Sequence, residues 1–116
     1  MEHYNNYITV DLDIIRENYR IICQVAQVPV LAVVKANAYG HGALAVAHAL
    51  AEDAPFFGVS SMSEAVELRN GGITQPILIL GHTPVCAFPQ AVRLGIRPAI
   101  FNYEDALALS TAACDA

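Results

Sequence analysis

The 116-residue chain reads as an α/β fold in which short parallel strands alternate with helices. Three features carry that reading. Apolar residues (AVILMFWYC) make up 55% of the chain and charged residues only 15%, against roughly 25% charged in an average globular domain. That composition excludes a disordered chain, which needs low hydrophobicity and high net charge. The continuous apolar runs at 30–34 and 77–80 are too short for buried helices and read as strands covered on both faces. Candidate strands begin near 30, 56, 77 and 97, each followed by a helical pattern. Such alternation implies βαβ units, a parallel sheet and right-handed crossovers.

From the N-terminus, residues 7–10 (Tyr-Ile-Thr-Val) are rich in strand formers and predict a short strand. Asp11 is placed to cap a helix in which Ile15, Tyr19, Ile22 and Ala26 recur at helical spacing, with Asp13 and Glu17 in its early turns. Pro29 closes that helix before the strand at 30–34. Gly40-His41-Gly42 punctuates the chain, and an alanine-rich helix follows over 43–52. After the strand at 56–60, Ser61 and Glu64 fit a capping box, and Gly71-Gly72 ends the helix they open. Gly81 ends the strand at 77–80. The next helix, around 87–94, must hold Pro89 in its first turn, because an interior proline lacks a donor and clashes. Pro98 marks the strand at 97–101 as an edge strand or the proline as an entry position, and Asn102 caps a last helix with no stop signal.

Four βα units admit either an open doubly wound sheet or part of a (β/α)8 barrel. A complete barrel needs about 250 residues, so this length amounts to half of one. The uncapped last helix and the abrupt Cys114-Asp115-Ala116 end predict a truncated chain.

Six Lys+Arg against eleven Asp+Glu give a formal charge of −5. This balance argues against nucleic acid, which calls for a basic patch, and against an anionic membrane surface. No stretch reaches the roughly 18–20 apolar residues of a membrane span, and residues 1–6 lack the basic and apolar regions of a secretory signal. Cys23, Cys86 and Cys114 are odd in number and widely spaced, which reads as free thiols in a reducing cytoplasm.

Chemistry concentrates in residues 33–42, Val-Val-Lys-Ala-Asn-Ala-Tyr-Gly-His-Gly. Lys35 lies at the carboxyl end of the most apolar strand, the end where α/β sheets and barrels bind ligands. Partial desolvation there lowers an amine's pKa, and a neutral amine can form a Schiff base with a carbonyl. The competing reading is a lysine whose stem covers apolar surface while its head reaches water. The glycines and the tyrosine that follow suit a backbone and a hydroxyl approaching a phosphate. Elsewhere the chemistry is thin. His3, His41, His48 and His82 have no metal-ligand spacing, and His48 sits in the alanine-rich helix as a structural residue. Gly40-x-Gly42 lacks the rest of a dinucleotide fingerprint or a P-loop, and Ser61 is explained as a cap.

Residues 35–42 resemble the pyridoxal-phosphate attachment signature of alanine racemases. The likeness extends to Val10-Asp11-Leu12-Asp13 with Asn18, to Gly58-Val59-Ser60-Ser61 with Glu64-Ala65 and Leu68-Arg69, and to Gly72-Ile73 with residues 76–81. It fades after His82. Basic-amino-acid decarboxylases of the same cofactor fold share something like Lys-Ala-Asn; the continuation Ala-Tyr-Gly-His-Gly points to the racemase. The resemblance implies the first half of a (β/α)8 TIM-type barrel over residues 1–116, with a second half-barrel and a C-terminal β-domain absent. It implies that Lys35 holds pyridoxal 5'-phosphate and takes the α-proton of D-alanine on one face. Tyr39 would donate to the cofactor phosphate, and Val33 and Leu80 would pack near the cofactor. The opposite-face base in the family is a tyrosine of the partner subunit's C-terminal domain. That base, the arginine facing the pyridine nitrogen and most phosphate contacts lie later in the family's chain.

The expected activity of the full-length protein is thus interconversion of L- and D-alanine in a cytoplasmic homodimer, supplying D-alanine for peptidoglycan. The 116 residues alone are expected to be inactive. The alternatives are a serine or broad-specificity racemase, a decarboxylase of the same fold, and an inactive cofactor-binding half-barrel. An isolated half has unpaired strand edges and is expected to dimerise, aggregate or remain loose.

Overall fold

The computed structural model describes residues 5–116, so residues 1–4, which include His3 and most of the segment read for a secretory signal, lie outside it. Four strands, β1 (Ala32–Val33), β2 (Phe57–Val59), β3 (Ile77–Ile79) and β4 (Ile96–Pro98), form one sheet. Every pairing is parallel, and the order in space is the order in sequence, β1-β2-β3-β4. A doubly wound sheet reverses its strand order at a switch point; this sheet never does. Sequential parallel strands with helices on one side are the arrangement of a partial (β/α)8 barrel.

The register sorts the strands into two faces. Ala32, Phe57, Ile77 and Ile96 align across the sheet, and all four are buried against the helical layer. Val33, Gly58, Leu78 and Arg97 form the next row on the opposite face. There Val33 and Arg97 are exposed and Leu78 is half-buried. The expectation that the apolar strands are covered on both faces therefore needs correction, since in the row of the opposite face only Gly58 is buried. A continuous apolar run reports that both sides of a strand avoid water in the assembled sheet. Here the second side is lined by its own row, with the Leu31 side chain lying against Gly58.

Among the described residues six α-helical segments flank or connect the strands: α1 (Leu12–Ala26), α2 (Lys35–Tyr39), α3 (Ala43–Leu50), α4 (Met62–Asn70), α5 (Phe88–Arg93) and α6 (Tyr103–Cys114). Asp11 caps α1 as its spacing predicts, its Oδ1 accepting from the Asp13 and Ile14 amides at 3.0 and 3.1 Å. The helix stops at Gln27, which turns left-handed (φ 55°). Tyr19 is the buried residue of α1 and donates to the Val30 carbonyl at 2.6 Å. Burial pushes its phenol up to about 12, and the neighbouring Cys23 thiol adds to the shift. Arg16 donates to the Ala49 carbonyl at 2.9 Å and Arg20 pairs with Asp53 at 2.9 Å, which ties α1 to α3 and the turn after it.

Arg69, in the last turn of α4, spends its guanidinium on four carbonyls: Leu94, Ile73, Gln75 and Gly95, at 2.7–2.9 Å. These carbonyls lie in the loops that lead into β3 and β4, so Arg69 closes the amino end of the sheet. Burial lowers its pKa. Pro89 sits in the first turn of α5, behind a short 3-10 turn (Val85–Ala87). Asn102 caps α6 by accepting from the Asp105 amide at 2.8 Å. One expectation fails locally. Residues 7–10 form no strand, and Tyr7 and Ile8 stand 86% and 87% exposed. β-Propensity measures fit to a pleated, half-buried surface, and the described residues offer that segment no partner strand. α4 ends at Gly71-Gly72 as the sequence predicts, with Gly72 (φ 90°) supplying the left-handed step.

Candidate functional site

The carboxyl end of the sheet is built around an irregular turn. Val34 extends the ladder by donating to the Gly58 carbonyl at 2.8 Å. Lys35 follows, half-buried, two residues beyond β1. The backbone then reverses hand. Ala36, Asn37, Ala38 and Tyr39 have φ of 51°, 54°, 53° and 56°, so α2 is one left-handed turn. Left-handed helical geometry costs L-residues roughly 1–2 kcal/mol each and normally occurs as single residues. Four in a row persist only where the surroundings over-determine them.

The residue types reduce the cost. Asparagine tolerates this region best among non-glycine residues, and the two alanines carry the smallest Cβ substituent. Gly40 leaves the turn at φ 88° with no atom within 4 Å of where a Cβ would stand, so it is there for its backbone conformation alone. Hydrogen bonds fix the rest. Ala38 donates to the Val34 carbonyl at 2.9 Å and Gly42 to the Asn37 carbonyl at 2.9 Å. The Asn37 side chain accepts from the Ala43 amide at 2.9 Å and so caps α3 from outside that helix. His41, within the singled-out segment, meets the Ala38 carbonyl through Nδ1 at 2.9 Å.

One contact crosses to the next βα unit. Glu64 Oε1 accepts from the Ala36 amide at 3.0 Å, and Oε2 accepts from the Ser60 amide at 2.7 Å. Burial by itself raises the Glu64 pKa. The Ser60 and Ala36 hydrogen bonds and the nearby Lys35 charge outweigh it, and the carboxyl is held below its ordinary value. The capping box is therefore half as expected. Ser61 Oγ does accept from the Glu64 amide, at 3.4 Å, but the carboxylate serves Ser60 and Ala36.

Of the residues singled out by sequence, Val33 and Leu80 come together. A Cβ added at Gly58 would meet Leu80 Cδ1 at 3.4 Å and Val33 Cγ2 at 3.5 Å, so both flank the same bare strand position. They are partly exposed, at 37% and 42%, and form an apolar floor beside the strand end that carries Lys35. Tyr39 occupies the last position of the left-handed turn and is 62% exposed. Gly81, one residue past Leu80, lies so close to the Ser60 carbonyl that a Cβ there would stand 2.4 Å from its oxygen. The backbones of β2 and β3 thus close tightly just beyond their ends. His48 holds the Gly71 carbonyl through Nε2 at 2.8 Å, a structural contact away from this end. Sequence reasoning missed Asn37 and the reach of Glu64; only the hand of the turn brings their partners within range.

The alanine racemase N-terminal domain, as a sequence family, matches residues 10–115. The chain belongs to the alanine racemase family. The alanine racemase of Streptococcus suis is 50% identical over 97 residues, covering 82% of this chain and 26% of its own length. That of Clostridium perfringens is 45% identical over 103 residues, covering 87% of this chain and 27% of its own. Among solved structures, the alanine racemase of Clostridium difficile 630 superposes with a TM-score of 0.84 at 36% identity, over 90% of this chain and 28% of that one. The biosynthetic alanine racemase of Pseudomonas aeruginosa gives 0.78 at 39% identity, over 89% and 29%. The chain therefore spans about a quarter of the length of the curated alanine racemases it matches. The C. difficile alanine racemase is also known in complex with cycloserine.

Proposed function

We propose that this chain is the N-terminal barrel portion of a pyridoxal-phosphate-dependent alanine racemase, and that Lys35 is its cofactor-bearing residue. The observation that carries this reading is the position of the one lysine in the chain. It stands at the carboxyl end of the sheet, immediately before the left-handed turn and beside the Val33–Leu80 floor. The donor set fits the cofactor: a primary amine for its aldehyde, an exposed phenol for its phosphate, and apolar side chains for the face of its ring. The bound cofactor supplies an electron sink for the pair left when an α-proton departs.

The chain's own residues do the rest. Lys35 anchors the cofactor and, on one face of the substrate, removes or returns the α-proton. Tyr39 donates its hydroxyl to the phosphate. Val33 and Leu80 keep water from the ring. In this reading the domain boundary falls within a barrel, and the second half-barrel and a C-terminal β-domain belong to the full-length protein. That protein is a cytoplasmic homodimer that interconverts L- and D-alanine and supplies D-alanine for peptidoglycan.

Racemisation removes a proton from one face and returns one to the other, and Lys35 serves a single face. Loss of a positioned acid–base partner typically costs about 10²–10⁴-fold, so the 116-residue chain alone is expected to racemise L-alanine negligibly above free cofactor. The test is to incubate the chain with pyridoxal phosphate, reduce with borohydride and map the modified peptide, with D-alanine formation assayed in parallel. Modification at Lys35, lost in Lys35→Ala, supports the assignment. Modification confined to the α-amino group sinks it. Turnover well above free cofactor by the chain alone would refute the expected inactivity.

A further inference from the structure

The left-handed turn has one external support on its Lys35 side. Ala36 is the first residue whose backbone reverses hand (φ 51°, ψ 48°), and its amide finds a carboxylate oxygen 28 residues away in sequence. The other oxygen of that carboxylate takes the Ser60 amide, the first residue beyond β2. The β1–β2 ladder ends at Val34 donating to Gly58. Beyond that point Glu64 replaces the missing rung, one oxygen for each strand end. Ala36 adjoins Lys35 directly, so anything that fixes the Ala36 amide plane fixes the direction in which the Lys35 side chain departs.

We propose that Glu64 is a positioning residue for Lys35: its carboxylate, bridging the Ala36 and Ser60 amides, clamps the left-handed turn to the end of β2 and sets where the Lys35 amine stands. The positional part of this proposal rests on the reading of Lys35 as the cofactor-bearing residue; the clamp itself does not. A carboxylate is required because both partners are donors. Glutamine would offer one acceptor and one NH2, leaving one backbone N–H facing another donor. A helix-capping role alone would leave the turn indifferent to Glu64, because the cap on α4 is the Ser61 hydroxyl.

The experiment compares the 15N-labelled chain with Glu64→Gln and Ser61→Ala. Glu64→Gln is expected to speed amide exchange at Ala36 and Ser60 by about tenfold, the scale of one lost charge-assisted hydrogen bond, while amides in α1 and α6 keep their rates. It is also expected to raise the dissociation constant for pyridoxal phosphate by about tenfold. Ser61→Ala removes the cap and is expected to change neither the Ala36 exchange rate nor that constant. Equal acceleration at every amide, unchanged exchange at Ala36, or matching effects of the two variants would overturn the proposal. In the unsubstituted chain labelled with both 15N and 13C, through-hydrogen-bond couplings from the Ala36 and Ser60 amides to the Glu64 carboxyl carbon are expected. Their absence overturns the clamp even where Glu64→Gln does not fold. If pyridoxal phosphate fails to modify Lys35 in the unsubstituted chain, the cofactor reading falls, and with it the positional part of the proposal. The exchange rates and couplings still decide the clamp.

Discussion

Glu64 gains more from folding when ionised than when protonated. Its folded pKa lies below the ordinary value of about 4.3, so its contribution to stability is fully present above that value and is lost as pH falls through the folded pKa. Urea unfolding at a series of pH values is expected to find Glu64→Gln less stable than the unsubstituted chain at pH 7, with the gap closing in acid below the folded pKa. A gap that is constant with pH would mean that the charge plays no part. The residue-scale chemistry was only partly legible in sequence. Lys35 stood out because a lone amine at the end of an apolar strand is unusual. Glu64 did not, because Ser61 three residues before it already offered a complete local explanation, and the partner that matters, Ala36, is remote in sequence.

At the scale of elements, two glycines test different forces. Gly40→Ala meets no atom but forces an L-residue to φ 88°; strain of this kind costs on the order of 1–3 kcal/mol. Gly81→Ala sets a methyl group against the Ser60 carbonyl, and relief requires the ends of β2 and β3 to part. Thermal or urea unfolding is expected to show Gly81→Ala as the more damaging of the two, and Gly40→Ala as a loss within that range. Strands and ordinary helices were readable here because apolar runs, caps and glycine stops act locally: Asp11, Ser61, Asn102 and Pro89 all sit where their chemistry predicts. The left-handed turn was not readable. Local rules treat a reversal of hand as a single-residue event, and this one is held in part by a contact to Glu64, 28 residues away, that exists only once the second βα unit is in place. Residues 7–10 failed for the converse reason, having strand-forming side chains without a strand to join.

At the scale of the whole molecule, the chain is a slab of 49 × 42 × 22 Å with a radius of gyration of 16.2 Å, where a compact chain of this length has roughly 13 Å. Its accessible surface of 7516 Å² exceeds the roughly 6,100 Å² of an ordinary folded monomer of this mass. The excess belongs to a two-layer molecule with one sheet face open, and Val33, Leu80, Ile100 and Phe101 are exposed apolar residues at or just beyond the strand ends. The outer edges of β1 and β4 have no neighbour among the described residues. The chain alone is therefore expected to self-associate, with sedimentation velocity showing species above 12.4 kDa that grow with concentration. A strictly monomeric chain would contradict this. The sequential strand order also bears on synthesis. Each strand pairs with the strand that precedes it in the chain, so every closure spans only about 20–25 residues and carries a small loop-entropy cost. A ribosome that has released the chain through β2 and α4 has already delivered every group in the Lys35–Ala36–Glu64–Ser60 set. The amine's seat can therefore take shape while later strands are still being translated.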